Sequence, residues 1–379
     1  MNQELKKYKK IAFSKHTPTA FVIGSPFQLL CAWNAIEEFE IEDYKIVLLL
    51  VRNSLRNQQV YGMLQSRGMD YEVYYADDFK VTDVVSGKIK GSARRYDRIM
   101  TGEILYLPNL AICGLFASAS STVVYMDDGA ASIRVLTGHT VSNNKLMAFL
   151  KKTHILKNPH KATQDIITKY WSQVGLRDYK FYYTIYSDIK TCRFITFPNK
   201  FDKLYPSLIK KEEKAVLIIG AHTIDYSKVT NIPILEYEGI LWRKLREVRQ
   251  KHPQERIIYI PHGRDDHEVI SQMCDILNIE FNRIDRAIEY YAMCSPLEFT
   301  YIYGFSSTAH YTLKLLTKAH VTCWLIMNRL NISRYTIMEI ADYYKKQGVV
   351  LDKIVYPNPT LCQYWNYYYE IIAKKIKRK

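Results

Sequence analysis

The sequence predicts an α/β protein built from two Rossmann-like, doubly wound domains facing a central cleft. Three observations predict it. Apolar runs of four to seven residues alternate with amphipathic stretches of helical length, the pattern of parallel sheets covered by helices. That alternation breaks near residue 200 and restarts near Lys210. Finally, 379 residues with 48% hydrophobic content exceed what a single core accommodates. The expected division is residues 1–200, residues 210–358 and a terminal helix with a basic tail at 359–379.

In the first half, Thr19–Ile23 is expected as a strand, Phe27–Phe39 as a helix, Lys45–Val51 as a strand, Asn57–Arg67 as a helix and Thr122–Met126 as a later strand. In the second, Ala215–Ile219 is a strand and Leu235–Gln250 a helix with Ile240, Leu241, Leu245 and Val248 on one face. Arg256–Ile260, Phe299–Tyr303 and His320–Ile326 follow as strands, the last two separated by a helix beginning near Ser307. Residues Phe181 to Leu208 mix aromatics, prolines and charges without periodicity, which places the linker around Thr196–Glu213.

The formal net charge is +15, with basic clusters at Lys6–Lys10, Lys88 to Arg98, Lys145 to Lys161 and Lys374 to Lys379. Such a balance favours an acidic partner: nucleic acid, anionic lipid, or an acidic sugar nucleotide with its acceptor. The seven cysteines are widely spaced and form no Cys-x-x-Cys pair. Reduced, buried thiols in a cytoplasmic protein are therefore expected. No apolar signal core follows the basic N-terminus and no run reaches membrane-spanning length, so neither secretion by signal peptide nor a transmembrane span is expected.

Three segments at predicted strand ends carry the chemistry, and open sheets of this kind bind ligands at those ends. Tyr125-Met126-Asp127-Asp128-Gly129 delivers two adjacent carboxylates into a turn; one can face a cleft while the other fixes the loop. Asp127 is the candidate general base, although Asp-Gly turns are common in their own right. Pro261-His262-Gly263-Arg264 supplies a histidine to donate to a departing phosphate and a guanidinium to clamp the same oxygens, with no metal required. Ser306-Ser307-Thr308 opens a helix, where hydroxyls cap the backbone and free N–H groups favour a phosphate. Glu289 is a candidate to accept hydrogen bonds from a ribose diol, and Gly24-Ser25-Pro26-Phe27-Gln28 is a candidate sugar-contacting turn. That turn contains no Gly-x-Gly-x-x-Gly, which disfavours a dinucleotide cofactor.

Taken together, these segments resemble the bacterial sialyltransferases, nearest to glycosyltransferase family 52 and more distantly the polysialyltransferase and Pasteurella-type families. The resemblance spans roughly residues 20 to 330 and is carried by motif order: Ser25-Pro26-Phe27-Gln28, Asp127-Asp128-Gly129, Gly220, Pro261-His262-x-Arg264, Ile288-Glu289-Tyr290 and Tyr303-Gly304-Phe305-Ser306-Ser307. Gly263 departs from the pattern, standing where the family has proline.

The resemblance implies a GT-B fold and an inverting, metal-independent sialyltransferase that uses CMP-sialic acid as donor and needs no cofactor. Asp127 would be the base, with Asp225 as the alternative in the loop after Gly220. His262, Ser306 and Ser307 would hold the cytidylate phosphate, with Gly220 and Arg264 on the donor side and Glu289 on the ribose. Ser25, Gln28, Asp128 and Gly129 would serve the acceptor side or support it. The acceptor would be a terminal sugar of lipooligosaccharide or capsule. Alternatives are a polysialyltransferase, a transferase of a related nonulosonic acid, or a non-catalytic protein binding anionic glycan or nucleic acid, although the sequence carries no nucleic-acid motif. Two fates are open to the terminal helix Tyr364–Lys379: packing on the first domain, or peripheral attachment to the inner membrane through its basic tail.

Overall fold

A computed structural model of the chain describes residues 3–54, 56–78, 94–102, 106–137, 181–204, 211–263, 268–328 and 334–356. The terminal helix and the cluster at Lys145 to Lys161 lie outside the described residues. Two compact units emerge, residues 1–208 with 284–294, and residues 209–283 with 295–379.

The first unit opens with α1 (Gln3–Phe13), β1 (Thr19–Ile23), α2 (Pro26–Glu38), β2 (Tyr44–Leu50), α3 (Arg56–Ser66) and β3 (Tyr71–Tyr75). It continues through β4 (Tyr96–Thr101), α4 (Leu107–Phe116), β5 (Ala117–Met126), α5 (Ala131–Thr137), β6 (Phe181–Thr184) and β7 (Ile195–Pro198). All seven strands pair in parallel in the order β3-β2-β1-β4-β5-β6-β7. The first six places follow Rossmann order, and the chain reverses direction between β1 and β4. Every residue of β1 is buried, as a strand covered on both faces requires. Its neighbours Val47, Leu49, Ile99, Ile112 and Phe116 belong to the same core.

The second unit runs β8 (Glu213–Ile219), α6 (Thr223–Thr230), α7 (Ile234–Lys251), β9 (Arg256–Ile260), α8 (Glu268–Ile276) and β10 (Glu280–Phe281). After α9 (Ile288–Cys294), which belongs to the first unit, come β11 (Leu297–Phe305), α10 (Thr308–Leu316), β12 (His320–Met327), α11 (Arg334–Lys346) and β13 (Val350–Val355). Its six parallel strands lie in the order β10-β9-β8-β11-β12-β13, the same Rossmann order with its reversal between β8 and β11. The predicted face of α7 is the buried one: Ile240, Leu241, Leu245 and Val248 join the core with Tyr237. The chain therefore contains two Rossmann-like domains.

Three expectations are corrected. The proposed linker Thr196–Glu213 begins inside β7 and ends on the first residue of β8, and Asn199, Phe201 and Leu204 are buried in the first unit. Phe181–Thr184, with no polar alternation to mark it, is a wholly buried strand. Residues 284–294, expected within 210–358, pack with the first unit.

Arg98, counted above in a basic cluster, is fully buried. Its Nε donates to Thr19 Oγ1 (2.8 Å) and Nη1 to the Ala12 carbonyl (3.0 Å), tying α1 to the start of β1. Burial lowers its pKa to about 10. Among the described cysteines, Cys31, Cys113, Cys274 and Cys323 are buried while Cys192 is exposed; all are unbridged. No described helix is long and apolar enough to cross a membrane.

At the reversal in the second sheet, β11 approaches β8 so closely that a Cβ on Gly304 would stand 2.4 Å from the Ile219 carbonyl oxygen. Backbone cannot yield there as a side-chain tip can. Gly304→Ala is expected to cost about 1–3 kcal/mol, read as a lower urea midpoint for the second unit.

Candidate active site

In the first unit the strand-end loops are locked by side chains. Ser25 caps α2, its Oγ accepting from Gln28 N (3.1 Å), and Pro26 occupies the first turn, where a missing N–H costs nothing. The Gln28 side chain is buried and engaged at both ends. Its Oε1 accepts from Gly24 N (2.7 Å) and its Nε2 donates to Asp128 Oδ1 (2.7 Å). To reach Asp128 beyond β5 it crosses the end of β4, where a Cβ on Gly102 would lie 2.5 Å from Gln28 Cδ. Gly102 is thus the gap through which Gln28 joins the β1 loop to the β5 loop.

The carboxylate pair divides as alternation along an extended backbone requires, but in the opposite sense to expectation. Asp127, the candidate base, is fully buried. Its Oδ1 accepts from Thr184 Oγ1 and its Oδ2 from Ile185 N, both at 2.7 Å, stapling the end of β5 to the end of β6. Burial raises its pKa to about 7 against those hydrogen bonds, which pull it down. Asp128 is the partly exposed member, aimed by Gln28, and its backbone N–H donates to Ser132 Oγ (3.0 Å). Gly129 follows in a left-handed turn (φ 66°). Asp127 therefore fixes the loop, and Asp128 is the member of the pair that keeps exposed surface.

Glu289, expected on the donor side, lies on α9 and is buried with the first unit. Its segment is held there by an edge-on contact of Tyr290 with Trp33 (5.5 Å between centroids) and by Ala287 N against Met63 Sδ (3.3 Å). Burial, with the negative charges of Asp127 and Glu289 adding to it, drives the Cys31 thiol well above its ordinary pKa. That thiol is inert.

The second unit gathers its groups at the matching reversal. Gly220 ends β8, its N–H donating to the Ile260 carbonyl (2.8 Å), and His222 stands at the N-cap of α6. His222 Nδ1 lies 2.9 Å from Asp225 Oδ2. His262 leaves β9 with its ring centroid 5.8 Å from that of His222, an approach that no local pattern in the sequence signals. Arg264 lies outside the described residues. Ser306 and Ser307 follow β11, and Ser307 caps α10 through Ala309 N (3.3 Å). Beneath them His310 is buried, its Nδ1 3.2 Å from the Ser307 carbonyl, and burial depresses its pKa to about 4. A neutral imidazole thus supports the serine turn. This edge presents hydroxyls, a helix N-terminus and two imidazoles, a set suited to oxyanions. Among the described residues no three His, Cys, Asp or Glu side chains gather in a metal-binding group.

No family model and no curated protein matches the chain. Solved structures similar to it include MurG of Acinetobacter baumannii, at 8% identity and TM-score 0.40, over 89% of this chain and 85% of that one. Another is UDP-GlcNAc 2-epimerase from Neisseria meningitidis bound to UDP-GlcNAc, at 12% identity and TM-score 0.45, over 96% and 100%.

Two outcomes are expected. Gly102→Ala costs about 1–3 kcal/mol in the native chain but little in a Gln28→Ala background, where the gap is open; a double-mutant cycle by urea unfolding measures the coupling. The second concerns Asp127, which ionises near 3.8 when unfolded and near 7 when folded. Between those values the folded state holds the extra proton, so the Asp127 contribution favours folding below pH 4 and is lost as pH rises through 7. Asp127→Asn should remove that slope from a pH series of unfolding midpoints.

Proposed function

We propose that the chain is an inverting sialyltransferase that moves sialic acid from CMP-sialic acid to a hydroxyl of a terminal sugar on a cell-surface glycan. The observation that carries this reading is the contrast between the two reversal points. The first presents a single aimed carboxylate, and the second presents imidazole and hydroxyl groups at a helix N-terminus. A carboxylate suits proton removal from an attacking hydroxyl, and the second set suits a departing phosphate. The motif order of the bacterial sialyltransferases supplies the donor class.

Asp128 is the base in this reading, because a carboxylate with both oxygens committed inside the fold cannot meet an acceptor. Gln28 aims Asp128, while Asp127 holds the loop. Proton transfer from the acceptor hydroxyl to Asp128 accompanies attack on the anomeric carbon. The bond to the phosphate oxygen breaks with its electron pair on that oxygen. His262 donates to the developing charge, and the hydroxyls of Ser306 and Ser307 stand with it at the positive end of α10. The reaction needs no metal ion or cofactor.

Release of CMP from CMP-sialic acid, with lactose or sialylated oligosaccharides as acceptor, tests the reading. Asp128→Asn should lower kcat about 10²- to 10⁴-fold with the fold intact, and His262→Ala about 10²- to 10³-fold. Activity should persist in EDTA. Full activity of Asp128→Asn would return the role of base to Asp127 or Asp225; absence of CMP release by the folded native chain would overturn the donor assignment.

A further inference from the structure

We infer that His222, aimed by Asp225, is a second phosphate-holding group that works beside His262 at the end of the second sheet. The inference rests on the donor-phosphate reading of that unit. His222 follows β8 and His262 follows β9, so two neighbouring parallel strands deliver one imidazole each to the same edge. Their centroids are 5.8 Å apart with the rings inclined by 40°. Two hydrogen bonds of about 2.8–3.0 Å each, made to different oxygens of one phosphate, span such a separation.

Asp225 is the reason to place His222 in the site. Located in the first turn of α6, its Oδ2 lies 2.9 Å from His222 Nδ1. The approach is a close contact without hydrogen-bond geometry, for Nδ1 is buried with no hydrogen-bond partner among the described residues, so the carboxylate limits where the ring can lie without fixing its tautomer. The His222 side chain keeps 18% of its exposure, enough for one edge to reach the surface while the rest is held. In this inference Asp225 acts through His222 as a positioning residue.

The space beside these rings is kept by backbone. Gly220 directly precedes Ala221-His222, and a Cβ there would stand 2.6 Å from Tyr259 Oη and 3.0 Å from Pro261 Cα. Both contacts lead into the strand and loop that carry His262, so the glycine lets the two histidine loops close on each other. A nucleoside monophosphate, whose terminal phosphate has three oxygens to share, is the ligand class this pair fits.

Ring-nitrogen spectra of ¹⁵N-histidine-labelled full-length protein, titrated with CMP, UMP, UDP and inorganic phosphate, test the inference. The native chain should show both the His222 and the His262 signals moving together with one nucleotide. His222→Ala should weaken CMP binding about 10- to 100-fold, His222→Asn should recover part of it by restoring a donor, and Asp225→Asn should change the His222 nitrogen pattern before any ligand is added. The unchanged remainder of the spectrum reports folding. Movement of His262 alone, or CMP binding by folded His222→Ala at native strength, overturns the inference and leaves the donor reading standing. Joint movement with UMP or UDP but not CMP sustains the two-histidine site and overturns the cytidylate assignment; no movement with any probe overturns both.

Discussion

Everything polar in these two units is governed by the parallel pairing of strands under helices on both faces. In such a sheet the ladder satisfies the backbone and the interior accepts almost only apolar side chains, so chemistry is driven to the loops beyond the carboxyl ends. Both sheets reverse at one place, β1 against β4 and β8 against β11, and there the connections diverge and leave room. Glycine stands at each reversal, because something must pass or approach closely. At Gly102 it is the Gln28 side chain, and at Gly304 it is the neighbouring strand itself.

The two reversals are built differently, and the difference separates their chemistry. In the first unit the loops are joined by side chains across the sheet edge: Gln28 to Asp128, and Asp127 to Thr184 and Ile185. Such a closed network leaves one carboxylate outward and fixes its direction. In the second unit the loops are supported from below, with neutral His310 under the serine turn and Gly220 between the histidine loops. That edge carries hydroxyls and imidazoles, groups that can donate to an oxyanion.

The excursion of residues 284–294 shows how weakly sequence adjacency constrains domain membership. Neighbouring segments build the second sheet, yet α9 buries Glu289, Ala292 and Met293 with the first unit and sets Tyr290 against Trp33. A short helix has little apolar surface of its own, so it belongs to whichever core offers the better-packed groove.

The amino-acid sequence by itself determined the fold class, most central strands and the three strand-end segments, because apolar period and turn chemistry are local properties that the chain carries wherever it folds. β1, α7 and β9 were legible for that reason, down to the buried face of α7. The tertiary structure alone decided which of Asp127 and Asp128 is buried, that Arg98 turns inward, that α9 joins the first unit, and that His222 meets His262. Each of these depends on a partner far along the chain: Thr184 for Asp127, Ala12 and Thr19 for Arg98, Trp33 for Tyr290, a second strand for His222. Burial and orientation belong to pairs of residues, and a linear sequence states only one member of each pair at a time.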